Sequence, residues 1–554
     1  MLFLSMTRFS SFTLALLTFA LSSAACAEET AASKPDSKAL DYEQKKRVEN
    51  IVIKSNDIFD LSDPETFFIH RWANYLHINT RDYVIRDKLS FKENDNVSQK
   101  DLDEVQRILR AEPYIRDAEI DFATPAPDAD IADDDAENIL VETWDNWSLL
   151  PTFSVGRSGG ESKFSIGIKE DNLLGLGIRT RFKYQSNADR TGYKFAIKAP
   201  LNFIEHATIA ADFYDNSDGQ ATHLYFEKPF YTLDGSNMYS AEYLDDLRVD
   251  TLKQNGLEFN EFEHAVTYNS ARFGWLLDHN NDELSRIITG LTQDKHEFAN
   301  IEEYPTSELP QDRDFLYPWV AYQYLQDDFK VLNNVHLINY NEDFNLGWQH
   351  YVKLGLETRD LNDDSPVGYH INWQSSRGFQ AQDHLLLLEM DGEGVFATSQ
   401  KDYFKVNVAA EYFYHITSKW TAYSKLRLSA SQNNYVDRPF ALGDDTGIRG
   451  YPNDYQYGDN QWAFTAEVRN YPNINLYQLA ELGWAVFTDV GQATGGNDDN
   501  NEISGVIGSV GIGARIYSSK SSYGNVAHID FSVPFTTGVE VNNWEWRFLV
   551  KNRF

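Results

Sequence analysis

The stretch Ile178-Arg179-Thr180-Arg181-Phe182-Lys183-Tyr184-Gln185 decides the fold. Ile178, Thr180, Phe182 and Tyr184 take one phase, and Arg179, Arg181, Lys183 and Gln185 take the other. Successive side chains of a strand point to opposite faces, so this segment reads as a strand with one apolar and one polar face. The pattern recurs. Tyr193, Phe195 and Ile197 alternate with Lys194 and Lys198, and Phe404, Val406, Val408, Ala410 and Tyr412 alternate with Lys405, Asn407, Ala409 and Glu411. Dyad segments rich in Tyr and Trp, separated by Asn/Asp/Gly turns, are the signal of a transmembrane antiparallel β-barrel. A soluble sandwich also alternates, but it would hide its aromatics. Residues 152–554 number 403. At roughly 25 residues per strand plus connection they predict about 16 strands.

Composition narrows the class. The 554 residues are 14% aromatic and carry a formal net charge of −35, with a mean hydropathy of −0.49. A helical span needs roughly 20 consecutive apolar residues. The only long apolar run, 12–21, follows Arg8 and precedes Ala25-Cys26-Ala27, a small-x-small cleavage pattern. Residues 1–27 therefore read as a signal peptide; Ser23 stands where a lipobox wants Leu. Cys26 is the sole cysteine, so the mature chain has no disulfide, thiolate chemistry or Cys-ligated metal. The acidic balance excludes nucleic acid, which needs a basic face. It suits long solvated loops, and equally an adaptation to saline surroundings.

Residues 28–46 are polar and aperiodic and read as a disordered leader. Residues 47–146 have the pattern of one small α/β domain. Strand 48–54 is followed by an aromatic-rich insert, 67–76, and a helix, 80–89, with Thr80 as its N-cap. A second helix, 98–110, opens on Ser98 and Asp101 in a capping-box pattern and carries Leu102, Val105, Ile108 and Leu109 on one face. Strands 118–122 and 139–143 flank an acidic loop, 124–137. The barrel occupies 147–554, with a first strand near 152–158 and a last near 545–554.

One loop carries a motif. Leu442-Gly443-Asp444-Asp445-Thr446-Gly447 precedes Ile448-Arg449-Gly450-Tyr451. In the strand that follows, Trp462, Phe464, Ala466 and Val468 take the lipid phase, which puts Glu467 and Arg469 in the lumen. Trp484, Val486 and Val490 do the same for Phe487 and Asp489. A guanidinium fork on a loop folded inward matches such carboxylates with parallel hydrogen bonds. The last segment places Trp544, Trp546, Phe548, Val550, Asn552 and Phe554 on the outward phase.

This set resembles the signature of the BamA/TamA superfamily, outer-membrane barrels with periplasmic POTRA domains. The order strand, two helices, two strands is that of a POTRA unit. The stretches Arg86-Asp87-Lys88-Leu89-Ser90-Phe91-Lys92 and Arg107-Ile108-Leu109-Arg110-Ala111-Glu112-Pro113-Tyr114-Ile115-Arg116-Asp117-Ala118 look like its helix-to-strand passages. One unit is present, where better-known relatives carry several. The resemblance implies a Gram-negative outer-membrane protein that inserts or exports polypeptide without chemical catalysis. Arg449 would brace a plug loop against Glu467 and Asp489. The motif Trp546, Phe548, Val550 and Phe554 would be the assembly signal, and the first and last strands would open sideways. The implied partners are outer-membrane lipid and lipopolysaccharide, a polypeptide substrate, and periplasmic or lipoprotein accessories reached through the POTRA unit. A two-partner-type secretion pore and a passive channel or structural barrel are the alternatives.

Lys169, Arg179, Arg181, Lys183, Lys194 and Lys198 form a basic stripe on the inward phase of early strands. It would either guide an acidic or unfolded substrate or pair with inward acids, Asp444 and Asp445 among them. The chain holds no HExxH, G-x-S-x-G, phosphate-binding glycine loop or His cluster at metal spacing, so no cofactor, metal or enzyme activity is expected. The acidic run 495–502 could take a divalent cation or simply be a solvated turn.

Overall fold

The computed structural model describes residues 44–64, 66–122, 136–280, 282–301, 308–359, 367–496, 498–520 and 526–551. The signal-peptide reading, the leader up to residue 43, most of loop 124–137, and Asn552 and Phe554 lie outside these residues.

The small domain is one four-stranded sheet with three helices. Its strands are β1 (Lys46–Asn56), β2 (Asn96–Val97), β3 (Ile115–Phe122) and β4 (Ala136–Asp145), in the order β2-β1-β4-β3. β1 and β4 run parallel; the other pairings are antiparallel. The helices are α1 (Phe68–Leu76), α2 (Asp82–Arg86) and α3 (Gln99–Arg110). α3 forms because Ser98 and Asp101 close a reciprocal capping box, and it buries Leu102, Val105 and Leu109 against Ile51, Ile120 and Val141. The helix expected over 80–89 is only α2. Thr80 does not cap it: its backbone N–H donates to Asp145 Oδ2 at 2.7 Å and its hydroxyl to Oδ1 at 3.0 Å. Asp145, which also lies 3.0 Å from His77 Nε2, is a buried carboxylate that draws the nearest donors, and it wins over the cap. The aromatic insert is helical, as α1.

From Leu149–Ser158 to Glu545–Lys551, twenty antiparallel strands close into a barrel. The expected count of about 16 falls short because many connections are two-residue turns, such as Gly159-Gly160 and Asn255-Gly256. All four of these turn residues have positive φ, as tight hairpins require. The first strand begins at Leu149 rather than at 152, with Pro151 inside it opposite Ile168. Among the described residues no helix is long and apolar enough to cross a membrane.

The wall is apolar outside and polar inside. Phe153, Phe182, Val486, Ile512 and Phe531 are exposed, while Arg469, Asp489, Ser509, Arg515 and Asp530 are buried. That inversion suits a wall solvated by lipid. The small domain caps one end, the near mouth. Arg81 N donates to Gly175 O at 3.1 Å, Tyr231 Oη bonds Lys88 O, and Trp147 N donates to Lys520 O at 2.8 Å. Glu112 receives Lys88 at 2.5 Å and Arg179, the first residue of a barrel strand, at 2.9 Å. Burial pushes the Glu112 carboxyl up, but these two cations outweigh it and hold the group below its ordinary range.

Candidate functional site

The connection 433–459 at the far mouth folds back into the lumen instead of standing out from it. Its short ladder pairs Ala441 with Tyr457 and Leu442 with Gln456. Leu442, Ile448, Tyr451 and Tyr455 then pack on the wall residues Ala463, Ala493 and Ile507. Gly447 and Gly450 have φ of 109° and 94°. A Cβ on Gly450 would also lie 2.9 Å from Ser532 Oγ. Glycine lets the loop reverse against the wall and aim inward the residue just before Gly450.

That residue is Arg449. Its Nε donates to Asp489 Oδ2 at 2.7 Å and its Nη2 to Oδ1 at 2.9 Å, a bidentate fork. Nη1 lies 2.9 Å from Glu467 Oε1. The guanidinium carbon stands 3.4 Å from the centre of the Phe487 ring. The structure thus brings Arg449, Glu467, Asp489 and Phe487 together. Ile448 is fully buried beside them. Tyr451 Oη donates to Gly508 O at 3.1 Å and sits 2.7 Å from Thr536 Oγ1.

Three members of the network, Arg515, Asp530 and Arg547, carried no sequence expectation. Arg515 Nη1 lies 2.6 Å from Asp530 Oδ1, and Asp530 is also 3.8 Å from Arg449. Arg469 holds the second oxygen of Glu467 at 2.8 Å, and Arg547 reaches Asp444 at 3.4 Å. Thr465 donates to Asp489 Oδ1 at 2.8 Å. The four arginines 449, 469, 515 and 547 balance the four acids 444, 467, 489 and 530, so the cluster is neutral. The parity argument, continued through the strands Ile507–Tyr517 and Val526–Pro534, would have put Arg515 and Asp530 on the inner face.

A second obstruction enters from the near mouth and carries no motif in the sequence. The connection 327–348 carries the hairpin Phe329–Asn333 with Asn341–Asn345. Its Val335 and Leu346 pack on Leu385, Phe413 and Tyr423, and its Leu337 and Ile338 on Tyr471, Tyr517 and Val526. Arg110 of α3 grips Asp343 with bonds of 3.0 and 2.7 Å. Tyr340 Oη donates to Arg116 O at 3.0 Å. The pore is therefore obstructed at both ends.

The seam of the barrel is thin among the described residues. There Glu545–Lys551 and Leu149–Ser158 share one ladder pair, Phe548 with Arg157. The flanking junctions hold seven and ten pairs. Arg157 Nε and Glu545 Oε1, 2.7 Å apart, add one ion pair across this seam. Trp546 and Val550 are exposed on the outer wall, and Phe548 is half-buried beside them.

The basic stripe is divided. Lys169 meets Asp171 at 2.5 Å, Lys194 meets Asp212 at 2.8 Å, and Arg179 is held by Glu112. Arg181, Lys183 and Lys198 form no ion pair among the described residues, and none of the six meets Asp444 or Asp445. The acidic run 495–502 is engaged with the plug: Asn501 bonds both backbone groups of Tyr457, and Glu502 accepts from Tyr455 Oη at 3.0 Å.

One arrangement has metal-ligand chemistry. His264 Nε2 and His296 Nδ1 are 2.8 Å apart, with Asp437 close by. Both oxygens of Asp437 are taken by Arg313, at 2.8 and 2.7 Å, and Arg438 lies 3.2 Å from His296. The guanidinium groups occupy the place of a cation, and the cluster ties the plug loop to the wall.

No known protein family matches the sequence, and no curated protein does. Among solved structures, CdiB from Acinetobacter baumannii is similar at 13% identity and a TM-score of 0.46, over 92% of this chain and 74% of that one. BamA from Haemophilus ducreyi lacking POTRA domains 1–3 is similar at 13% identity and 0.37, over 91% and 84%. The FrpB iron transporter from Neisseria meningitidis gives 9% and 0.41, over 80% and 88%. Overlap this loose carries no argument for a shared function.

Proposed function

We propose that this chain moves polypeptide into or across the outer membrane of a Gram-negative cell, passing it sideways through the barrel wall. The observation that carries this reading is the seam, which among the described residues holds one ladder pair where the adjoining junctions hold seven and ten. Backbone groups left unpaired in lipid cost several kcal/mol each. An extended substrate that supplies the missing strand is therefore bound by main-chain hydrogen bonds, the physics of β-augmentation. The obstructions at both mouths favour this route over passage down the lumen.

In this reading the small domain is a single periplasmic POTRA unit. β2 covers only Lys46 and Arg47 of β1. Asn94 and Asp95 take both backbone groups of Val48, and Arg86 donates to Ile51 O at 3.2 Å; from Val52 on, the outer edge has no strand beside it among the described residues and can take an incoming segment. Arg449, Glu467 and Asp489 brace the far-mouth loop so that the wall keeps its shape while the seam opens. Lipopolysaccharide and accessory lipoproteins would meet the outer wall and the small domain respectively.

The test is a crosslink. Arg157→Cys and Phe548→Cys stand directly opposite, where Cα atoms of an antiparallel pair lie within the roughly 7 Å a disulfide spans. With Cys26→Ser as background, oxidation should abolish substrate insertion or export, and reduction should restore it. A fully crosslinked barrel that stays active would rule out lateral opening and favour a lumenal pore of the two-partner type.

A further inference from the structure

α1 is a nine-residue helix whose outer face is apolar. Phe68, Trp72, Tyr75 and Leu76 are 67%, 68%, 83% and 54% exposed. Their spacing of i, i+4, i+7 and i+8 places them on an arc of about 100°. The opposite side of the helix is accounted for: Ala73 is buried with Ile58 and Phe59 against Trp147 and Leu479, and His70 is fully buried. The exposed arc is a second apolar face that no described residue covers.

What covers it follows from where the helix sits. His70 Nε2 lies 2.8 Å from Tyr477 O, and the Phe67 ring packs edge-on against Tyr477 at 5.5 Å. Gln478 Nε2 donates to Asp63 Oδ2 at 3.1 Å. Tyr477, 74% exposed, turns the chain immediately after the strand Asn460–Leu476, whose Ile474 and Leu476 are exposed on the outer wall. The apolar arc of α1 thus continues the lipid-facing wall of the barrel around its near rim. In a chain of net charge −35, the helix Phe-Ile-His-Arg-Trp-Ala-Asn-Tyr-Leu has no acidic residue and one exposed cation, Arg71. Aromatic side chains at the level of lipid headgroups and a flanking arginine are the composition of an interfacial anchor.

We infer that α1 lies in the near-side membrane leaflet, with Phe68, Trp72, Tyr75 and Leu76 among the phospholipid headgroups and upper acyl chains. The helix would hold the small domain flat against the bilayer, so that β1 meets substrate at the membrane surface. This inference rests on the barrel spanning a membrane, and the experiment separates the two claims.

Tyr75→Cys, Val486→Cys and Glu119→Cys, each on a Cys26→Ser background, are labelled with an environment-sensitive fluorophore in phospholipid nanodiscs. Nitroxide-bearing lipids then quench by depth. Val486 reports the barrel wall, and Glu119, exposed on β3, reports the solvent-facing domain. The inference expects strong quenching at 75 by shallow nitroxides, strong quenching at 486 by deep ones, and little at 119. Phe68→Ser with Trp72→Ser should weaken quenching at 75 and leave 486 unchanged. Quenching at 486 with a label at 75 reached only by aqueous iodide overturns the inference and leaves the face for a protein partner. Absence of quenching at 486 overturns the membrane-spanning barrel and the inference with it.

Discussion

At the far mouth, loop 433–459 is held by a network of eight charged side chains that includes Arg449, together with the apolar packing of Leu442, Ile448, Tyr451 and Tyr455. At the near mouth, segment 327–348 is held by Val335, Leu337, Ile338 and Leu346 in apolar clusters and by separate polar ties, His336 to Glu411 at 3.0 Å and Asp343 to Arg110 at 2.7 Å, with no central charged network like that around Arg449 among the described residues. On the wall between them, Arg469 of the charged network lies 3.6 Å from the ring centre of Tyr423, on which the near segment packs. The two obstructions differ in how they give way. A buried fork is directional, and removing one partner strands the others. Apolar packing is non-directional, so its loss is graded with the area exposed.

The sharpest way to break this contrast is Arg449→Ala. It leaves Glu467 and Asp489 short of a partner in a buried site, at a cost of roughly 3–5 kcal/mol. The heat-modified shift on gels should occur at a clearly lower temperature, and Arg449→Lys should recover only part, because a lysine cannot make the fork. An unchanged shift would remove the brace. Next in size is Ile338→Ala, with a loss of about 3 kcal/mol in docking of the near segment. It should raise protease cleavage within 327–348 and single-channel conductance while leaving the far loop protected. Equal loosening at both mouths would mean that the two obstructions are one unit.

A smaller effect is expected from pH. Glu112 has a folded-state pKa held below its usual value of 4.5 by Lys88 and Arg179. Its contribution is therefore present above the unfolded pKa and lost as pH falls through the folded one. Hydrogen exchange in α3 and at Arg179 should rise on acidification below that range, and Glu112→Gln should flatten the response. The smallest change is Arg110→Ala. The pair with Asp343 is partly exposed, 10% and 19% by side chain, so about 1 kcal/mol is expected. That loss should appear as faster exchange at Tyr340 and leave the barrel's heat-modified shift as it was.

Much of the fold was legible because its signals are local. Alternation over a few residues marks a strand, and the Ser98–Asp101 cap marks the start of α3. The inner faces of Glu467 and Asp489 followed from parity alone. The strand count was not legible, because spacing depends on turn lengths that alternation does not report. Thr80 looked like a cap because its rival, Asp145, lies 65 residues away in sequence. Arg515 and Asp530 carried the right parity but no motif to draw attention to them.

The sequence by itself determined a barrel with a small α/β domain, the lumenal phase of the acids, and a glycine-flanked arginine able to reach them. Tertiary structure decided the rest: which acids the arginine meets, that the circle closes at twenty strands with a one-pair seam, that segment 327–348 turns inward, and that α1 shows its aromatics at the rim. The physical reason is separation along the chain. Periodicity and capping act between neighbours, whereas Arg449 meets Asp489 across 40 residues, Arg110 meets Asp343 across 233 and His70 meets Tyr477 across 407. Contacts of that span exist only once every strand between them has taken its place in the closed wall.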